Sequence, residues 1–345
     1  MKATFVALLA AAALAATVAV PLGGKDVSRC AEKFEHFKAR HKKAYGSSQE
    51  GAERMQNFCS SLKEIDEINH RGLTWHAGVN AYSDLTWEEF KSRFLMSSPQ
   101  NCSATAHTKP ISSLVTLSTD PLPTEKDWRN ETCGETSCVS MVKNQGMCGS
   151  CWTFSTVGAL ESAHAIKTGT MTGTMFLLSE QQLVDCAQDF NNNGCNGGLP
   201  SQAFEYIRYN GGLSKMEDYT YVCGDGHCKP VGGVCRYNPD MKSAIGVKVV
   251  VGTLQPISVA FEVVSDLRHY ASGVYQSPDC KSTPDMVNHA VLAVGYGTED
   301  GSDYWTIKNS WGFGWGNHGH FKIIRGKNMC AIGECSSFPI LDKDE

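Results

Sequence analysis

Gln145-Gly-Met-Cys148-Gly-Ser-Cys151-Trp152 is the stretch on which the reading of this chain rests. Behind it Phe154, Val157, Leu160 and Ala163 recur at helical spacing, which predicts a helix over 151–166 that begins at Cys151. A thiol at that position faces unpaired N–H groups and the positive end of the helix dipole, and both favour its anion. Gly149 and Ser150 are small enough to let another backbone approach. Cys151 therefore reads as a nucleophile. A Cys148-x-x-Cys151 redox pair is the competing reading, but the Trp follows the second cysteine instead of preceding the first. A four-ligand zinc site needs a second C-x-x-C, and the chain has none, so no metal is expected.

A nucleophilic thiol needs a base. His289 precedes the alternating run Ala290-Val-Leu-Ala-Val-Gly-Tyr296, and Asn309 ends Tyr304-Trp-Thr-Ile-Lys308. Between them Gly297-Thr-Glu-Asp-Gly-Ser302 is a turn signal. Paired positions of an antiparallel hairpin have a constant number sum. A turn centred near 299.5 gives a sum of about 599, which sets His289 opposite position 310, one residue from Asn309. An amide beside an imidazole can hold it in one tautomer, the logic of a catalytic triad. Gln145, six residues before Cys151, can point its side-chain N–H₂ at an oxyanion, with the Cys151 backbone N–H as second donor. Trp311 and Trp315 either pack in the core or shield the His–Asn bond from water.

The 345 residues are 41% hydrophobic and 19% charged, which excludes a disordered, collagen-like or coiled-coil chain. A net charge of −5 argues against nucleic-acid binding. Fifteen cysteines point to an oxidising compartment, and the odd number leaves at least one thiol unpaired. Lys2 followed by an apolar run to Val20 reads as a secretory signal over 1–20, with an uncleaved anchor as the alternative. Asn101-Cys-Ser and Asn130-Glu-Thr are glycosylation acceptors. Residues 30–96 are charged and helical in pattern. Glu50, Arg54, Phe58, Ser61, Ile65 and Asn69 share one helix face, and Gly78-Val-Asn80-Ala-Tyr82-Ser-Asp84 reads as a strand and turn. Residues 97–124, rich in Ser, Thr and Pro, read as a linker. From about 121 a packed domain follows. It has helices first (151–166, 179–186 with a Ser179/Gln182 capping box, and 200–209). Strands come second (246–251, 257–261, 290–296, 304–308 and 321–324), an α+β arrangement of two subdomains.

These residues resemble the papain family of cysteine proteases, and within it most closely cathepsin H. The Cys-Gly-Ser-Cys-Trp signature has its His 138 and its Asn 158 residues downstream. The resemblance covers nearly the whole chain after the signal. It implies a papain-like fold with a helical half and a β-barrel-like half, preceded by an inhibitory pro-region over 30–96. It assigns Cys151, His289 and Asn309 as catalytic residues and Gln145 as the oxyanion glutamine. Gly194-Cys195-Asn196-Gly197-Gly198 matches the family's substrate-binding loop, where the Gly198 backbone bonds the substrate beside Gly197, with Trp311 and Trp315 at the cleft. The helix stripe matches the ERFNIN pattern, with Ser61 in place of Asn, and Gly78, Asn80, Tyr82 and Asp84 match GxNxFxD, with Tyr for Phe.

Pro99-Gln-Asn-Cys-Ser-Ala-Thr105 looks like the cathepsin H mini-chain, here spanning 98–105 with Ser98 where Glu is usual. The resemblance implies a Cys102–Cys335 tether, removal of 106–120, and a Thr105 carboxylate that meets a substrate's α-ammonium and converts an endopeptidase into an aminopeptidase. It also implies the disulfides Cys148–Cys195, Cys186–Cys235 and Cys280–Cys330. Two departures stand out. The chain is shorter than the family between Val251 and Pro256 by roughly ten residues, about one short helix. Cys133/Cys138 and Cys223/Cys228 are additional, each pair spaced to close a small local loop, and Cys30 and Cys59 lie in the pro-region. The expected partners are peptide and protein substrates, the chain's own pro-region and cystatin-type inhibitors. No cofactor, nucleic acid or membrane is expected after signal cleavage, and the expected state is a monomer in a lysosome or acidic vacuole, or secreted. The alternatives are a plain endopeptidase without its mini-chain and a homologue inactivated by the short 251–256 segment.

Overall fold

The computed structural model describes residues 24–97, 123–169, 176–225, 228, 233–237, 247–250 and 255–341. The expected signal, the mini-chain with Asn101, Cys102 and Thr105, the linker 106–120 and residues 251–254 of the short segment lie outside that set. Met1–Ala44 and Tyr45–Glu345 form two compact units. The first carries α1 (Gly24–His41), in which Phe34 stacks on Phe37.

In the second unit, α2 (Ser48–His70) starts where the Ser47 side chain accepts from Glu50 N–H. The polar members of the α2 stripe are not merely solvated. Arg54 bonds Glu89 at 2.7 Å, and Asn69 exchanges two hydrogen bonds with the Ala77 backbone. They hold β1 (Trp75–Ala77) and α3 (Trp87–Phe94), whose start carries a full capping box between Thr86 and Glu89. Next come β2 (Lys126–Asp127) and the β3–β4 hairpin (Thr132–Cys133, Thr136–Ser137), closed by Cys133–Cys138.

The helical half consists of α4 (Cys151–Thr168), α5 (Glu180–Cys186) and α6 (Pro200–Asn210). Gly169 and Gly211 end α4 and α6 in the left-handed conformation that only glycine adopts without strain. At α5 the Ser179 side chain accepts from Gln182 N–H, but the box is half made. The Gln182 amide instead donates to Tyr206 and accepts from Ser214 N–H. Tertiary partners there outcompete the local one. The core of this half gathers Trp152, Leu160, Leu183, Phe204 and Ile207.

The strands are β5 (Val247–Val250), β6 (Ile257–Phe261), β7 (Tyr270–Tyr275), β8 (His289–Glu299), β9 (Ser302–Lys308), β10 (His320–Ile324) and β11 (Phe338–Leu341). A seven-stranded sheet runs β1-β7-β10-β9-β8-β2, with β6 also on β8, while β5 and β11 pair apart. The β8–β9 turn is Asp300-Gly301, both at positive φ, as a two-residue hairpin requires. Its pairs sum to 601, not 599, and a bulge between Ala293 and Gly295 reduces the sum to 600 further down (Leu292↔Lys308). Asn309 lies just beyond the end of β9, so its side chain escapes the ladder and reaches His289.

The N-terminal segment is built into this sheet. β1 pairs antiparallel with β7, Trp75 opposite Gly273. A Cβ on Gly273 would lie 2.4 Å from Thr74 O, so that position must be glycine for β1 to approach. Trp75, Phe90 and Phe94 share one core with Phe261, Tyr270, Phe321 and Trp311.

Candidate active site

Cys151 and His289 are both fully buried. Cys151 heads α4, and its Sγ accepts from Ala290 N–H at 3.3 Å. Burial pushes the thiol up to about 12, against the pull of the Ala290, Trp152 and Cys151 backbone N–H groups. The anion that the helix start favours is therefore suppressed in this closed state, because desolvation outweighs the dipole.

His289 opens β8. Its Nε2 lies 2.8 Å from Asn309 Oδ1, which also accepts from Ser310 N–H. That bond assigns the Nε2–H tautomer and leaves Nδ1, which has no hydrogen-bond partner among the described residues, as the free ring nitrogen. The ring stacks on Trp311 with centroids 4.7 Å apart, and Trp315 meets Trp311 edge-on at 4.8 Å. Burial pulls the imidazole down to about 4, partly opposed by the Asn309 bond. A neutral thiol thus accompanies a neutral imidazole.

Gln145 is held on every side. Its N–H donates to Ser310 O, its Oε1 accepts from Ser310 Oγ at 2.7 Å, and its carbonyl accepts from the Tyr221 hydroxyl at 2.6 Å. Tyr221 also bonds Ser150 Oγ at 2.7 Å. Fixing Oε1 points Nε2 inward, where it donates to Cys148 O and to Phe94 O at 2.9 Å.

Phe94 begins the segment that closes the cleft. Met96 N–H donates to Asn288 O, beside His289, and Ser97 N–H donates to Asn196 O. The chain is thereby tied to both walls while Leu95 passes over Gly149, whose Cβ, if present, would lie 2.8 Å from Leu95 O. Asn196 takes this contact. Gly197 O instead accepts from Asn193 N–H, and Gly198 lies against the Trp152 ring. On the outside, Tyr82 donates its hydroxyl proton to Trp311 O and Phe90 meets Trp311 edge-on. Glu64 on α2 bonds Arg268 at 2.6 Å and His269 at 3.2 Å.

Behind Asn309 lies a buried charge cluster. Lys143 bridges Glu161 at 2.8 Å and Glu180 at 2.6 Å, while Lys308 reaches Ser140. Burial pulls Lys308 down to about 8.

Among the expected bridges, Cys148–Cys195, Cys186–Cys235 and Cys280–Cys330 are formed, as is Cys223–Cys228. Cys335 is disulfide-bonded, and Cys151 is the free cysteine among the described residues. Asn130 is exposed. The reading of the sequence missed Ser310, Tyr221 and the Phe94–Ser97 contacts. Ser310 adjoins Asn309 and was within reach of the hairpin argument, whereas nothing local to Tyr221 or Phe94 announces a partner so far along the chain. No described helix is long and apolar enough to cross a membrane.

The papain family cysteine protease domain matches residues 122–340, and the cathepsin propeptide inhibitor domain matches 34–90. Cysteine proteinase 3 of Solanum lycopersicum is 49% identical over 91% of this chain and 86% of its own length. Pro-cathepsin H of Bos taurus is 49% identical over 89% of each. The solved structure of digestive procathepsin L2 from Tenebrio molitor superposes with a TM-score of 0.78, at 35% identity, over 90% of this chain and all of that one. The propeptide match takes in α2, β1 and the first half of α3, the elements that lead to the segment over the cleft, and the chain belongs to the papain family of cysteine proteases.

Proposed function

We propose that the protein is the zymogen of a peptidase that works through Cys151, His289, Asn309 and Gln145, chiefly as an aminopeptidase. The observation that carries this reading is the Phe94 carbonyl on Gln145 Nε2, above a buried Cys151. A backbone carbonyl there occupies the donor that a scissile carbonyl would need.

Once the propeptide leaves, water re-enters and the penalty on both charged forms falls. The Cys151 proton passes to His289 Nδ1, giving a thiolate and an imidazolium held by Asn309. The thiolate attacks the peptide carbonyl, and Gln145 Nε2–H and Cys151 N–H hold the oxyanion. His289 protonates the departing amine and then takes a proton from the water that hydrolyses the thioester. Trp311, flat on His289, keeps water from competing for Asn309.

The finer assignments rest on the sequence. They are a signal over 1–20, propeptide 30–96, mini-chain 98–105 tethered by Cys102 to Cys335, linker 106–120 and peptidase 121–345. Delivery is through the secretory pathway to an acidic lumen, with glycans on Asn101 and Asn130. A retained Thr105 carboxylate would select a free α-ammonium. Comparing free with N-terminally blocked substrates tests this. The processed protein should cut blocked substrates poorly, and deleting 98–105 should rescue them. Equal cleavage of both before deletion would make it an endopeptidase.

A further inference from the structure

Two disulfides crowd each other beside the catalytic loop. Cys148–Cys195 ties the loop leading into α4 to the 194–198 loop, and Cys223–Cys228 is a second bridge between residues five apart. The sulfurs of Cys148, Cys195 and Cys223 all lie within 4.8 Å of one another. They share a small apolar cluster with Val184 and Tyr221. Cys223 is fully buried, whereas Cys228 is partly exposed. The Gln181 side chain touches both sulfurs of that bond, with Oε1 3.3 Å from Cys223 and Nε2 3.7 Å from Cys228. An external thiol therefore meets Cys228 first, and the sulfur it releases already faces a second disulfide.

We propose that Cys148, Cys195, Cys223 and Cys228 form a thiol–disulfide exchange site that takes low-molecular-weight thiols of the glutathione type. In the first step the external thiolate, having given its proton to solvent, attacks Cys228 Sγ. A mixed disulfide forms there, the Cys223–Cys228 bond breaks, and its electron pair leaves on Cys223 Sγ. In the second step Cys223 Sγ attacks the Cys148–Cys195 bond. A bond from Cys223 to Cys148 or Cys195 forms, and the displaced sulfur leaves as a thiolate that takes up a proton. One thiol enters and one protein thiol emerges, so no oxidant or further reductant is needed.

The exchange has a structural consequence. Gly224 lies so close to Gly146 that a Cβ on Gly146 would sit 2.2 Å from Gly224 O. Gly224, next to Cys223, thus already backs the Gln145 loop. Exchange unties Cys148 from Cys195, or re-ties one of the two to Cys223.

The test uses the full-length zymogen carrying Cys151→Ala, which removes the free thiol found among the described residues. It is incubated with reduced glutathione near neutral pH, quenched by alkylation and mapped by mass spectrometry without reduction. A glutathione adduct on Cys228 should appear first, followed by peptides that join Cys223 to Cys148 or Cys195. With Cys228→Ser added, the same cross-links should form without glutathione, in roughly a tenth of molecules or more, because exchange between comparable disulfides is near balance. Opening of Cys148–Cys195 before Cys223–Cys228 would overturn the proposal. So would a Cys228→Ser protein with Cys223 wholly alkylated and Cys148–Cys195 alone. Should the serine variant fail to fold, the order of events in the glutathione time course still decides. The readout is covalent and independent of peptidase activity.

Discussion

Phe94 O and Gln145 Nε2 are 2.9 Å apart, so the side chain assigned to the oxyanion is already donating to a carbonyl of the same chain. The propeptide does more than lie across a groove. The Phe94 carbonyl satisfies the donor, while the thiol and the imidazole lie fully buried, which disfavours the charge on each.

Phe90→Ala should loosen the propeptide while leaving Cys151, His289, Asn309 and Gln145 in place. Phe90 is fully buried and meets Trp311, Tyr82 and Phe94. Truncating such a ring costs about 3–5 kcal/mol, so the intact chain should gain peptidase activity at neutral pH. Activity is to be read beside intact mass, and an unprocessed variant that stays as silent as the wild type would contradict this.

Closure should weaken with acid. His289 has an ordinary value of 6.5 and is pulled to about 4 when buried. In the open state its proton comes from Cys151, so the pair as a whole takes up no proton on opening and lends closure no pH dependence of its own there. Burial raises Glu64, but hydrogen bonds and charge from His269 and Arg268 prevail and hold it down to about 2 from 4.5. Its contribution is complete above 4.5 and is lost only as pH falls toward 2. Hydrogen exchange at the Met96 and Ser97 amides, corrected for intrinsic rates, should therefore accelerate as pH falls below about 4.5. Glu64→Gln should move half-processing to higher pH. A pH-independent corrected rate would count against the account.

Tyr221→Phe removes a donor to Gln145 O and a bond to Ser150 while keeping the ring against Phe154. A lost hydrogen bond that positions a transition-state donor should cost about 1 kcal/mol, a fall in kcat of roughly fivefold with KM little changed. In a Gln145→Ala background the same change should cost little more. Full additivity would show that Tyr221 does not act through Gln145.

Lys143→Ala strands Glu161 and Glu180, which are both buried. Breaking a buried ionic group by removing one partner costs about 3–5 kcal/mol. Denaturant unfolding near pH 7 should show a loss of that size, and a loss under about 1 kcal/mol would mean that the cluster is not held by Lys143.

Much of this was legible in the sequence because the signals are local or additive. The start of α4 at Cys151 follows from apolar spacing, and the approach of His289 to Asn309 follows from hairpin counting that was wrong by two in its sum. The miss has a physical cause. The turn sits one residue later, and a bulge absorbs one residue of β8, but a side chain beyond the strand end tolerates both. What could not be read were contacts between distant segments. Gly273 looks like any strand glycine until β1 lies on it, and Gln182 looks like a capping residue until Ser214 and Tyr206 claim its amide. The reach of Phe94 to Gln145 depends on the packing of α3, which no local pattern encodes.

The central claim is that Cys151 carries the chemistry and the propeptide withholds it. Iodoacetamide labelling of the intact chain and of the acid-processed protein, with peptide mapping and activity on the same samples, tests this directly. The account predicts an unlabelled Cys151 in the intact chain, and full labelling with complete loss of activity after processing. Peptidase activity that survives complete carbamidomethylation of Cys151 would contradict it.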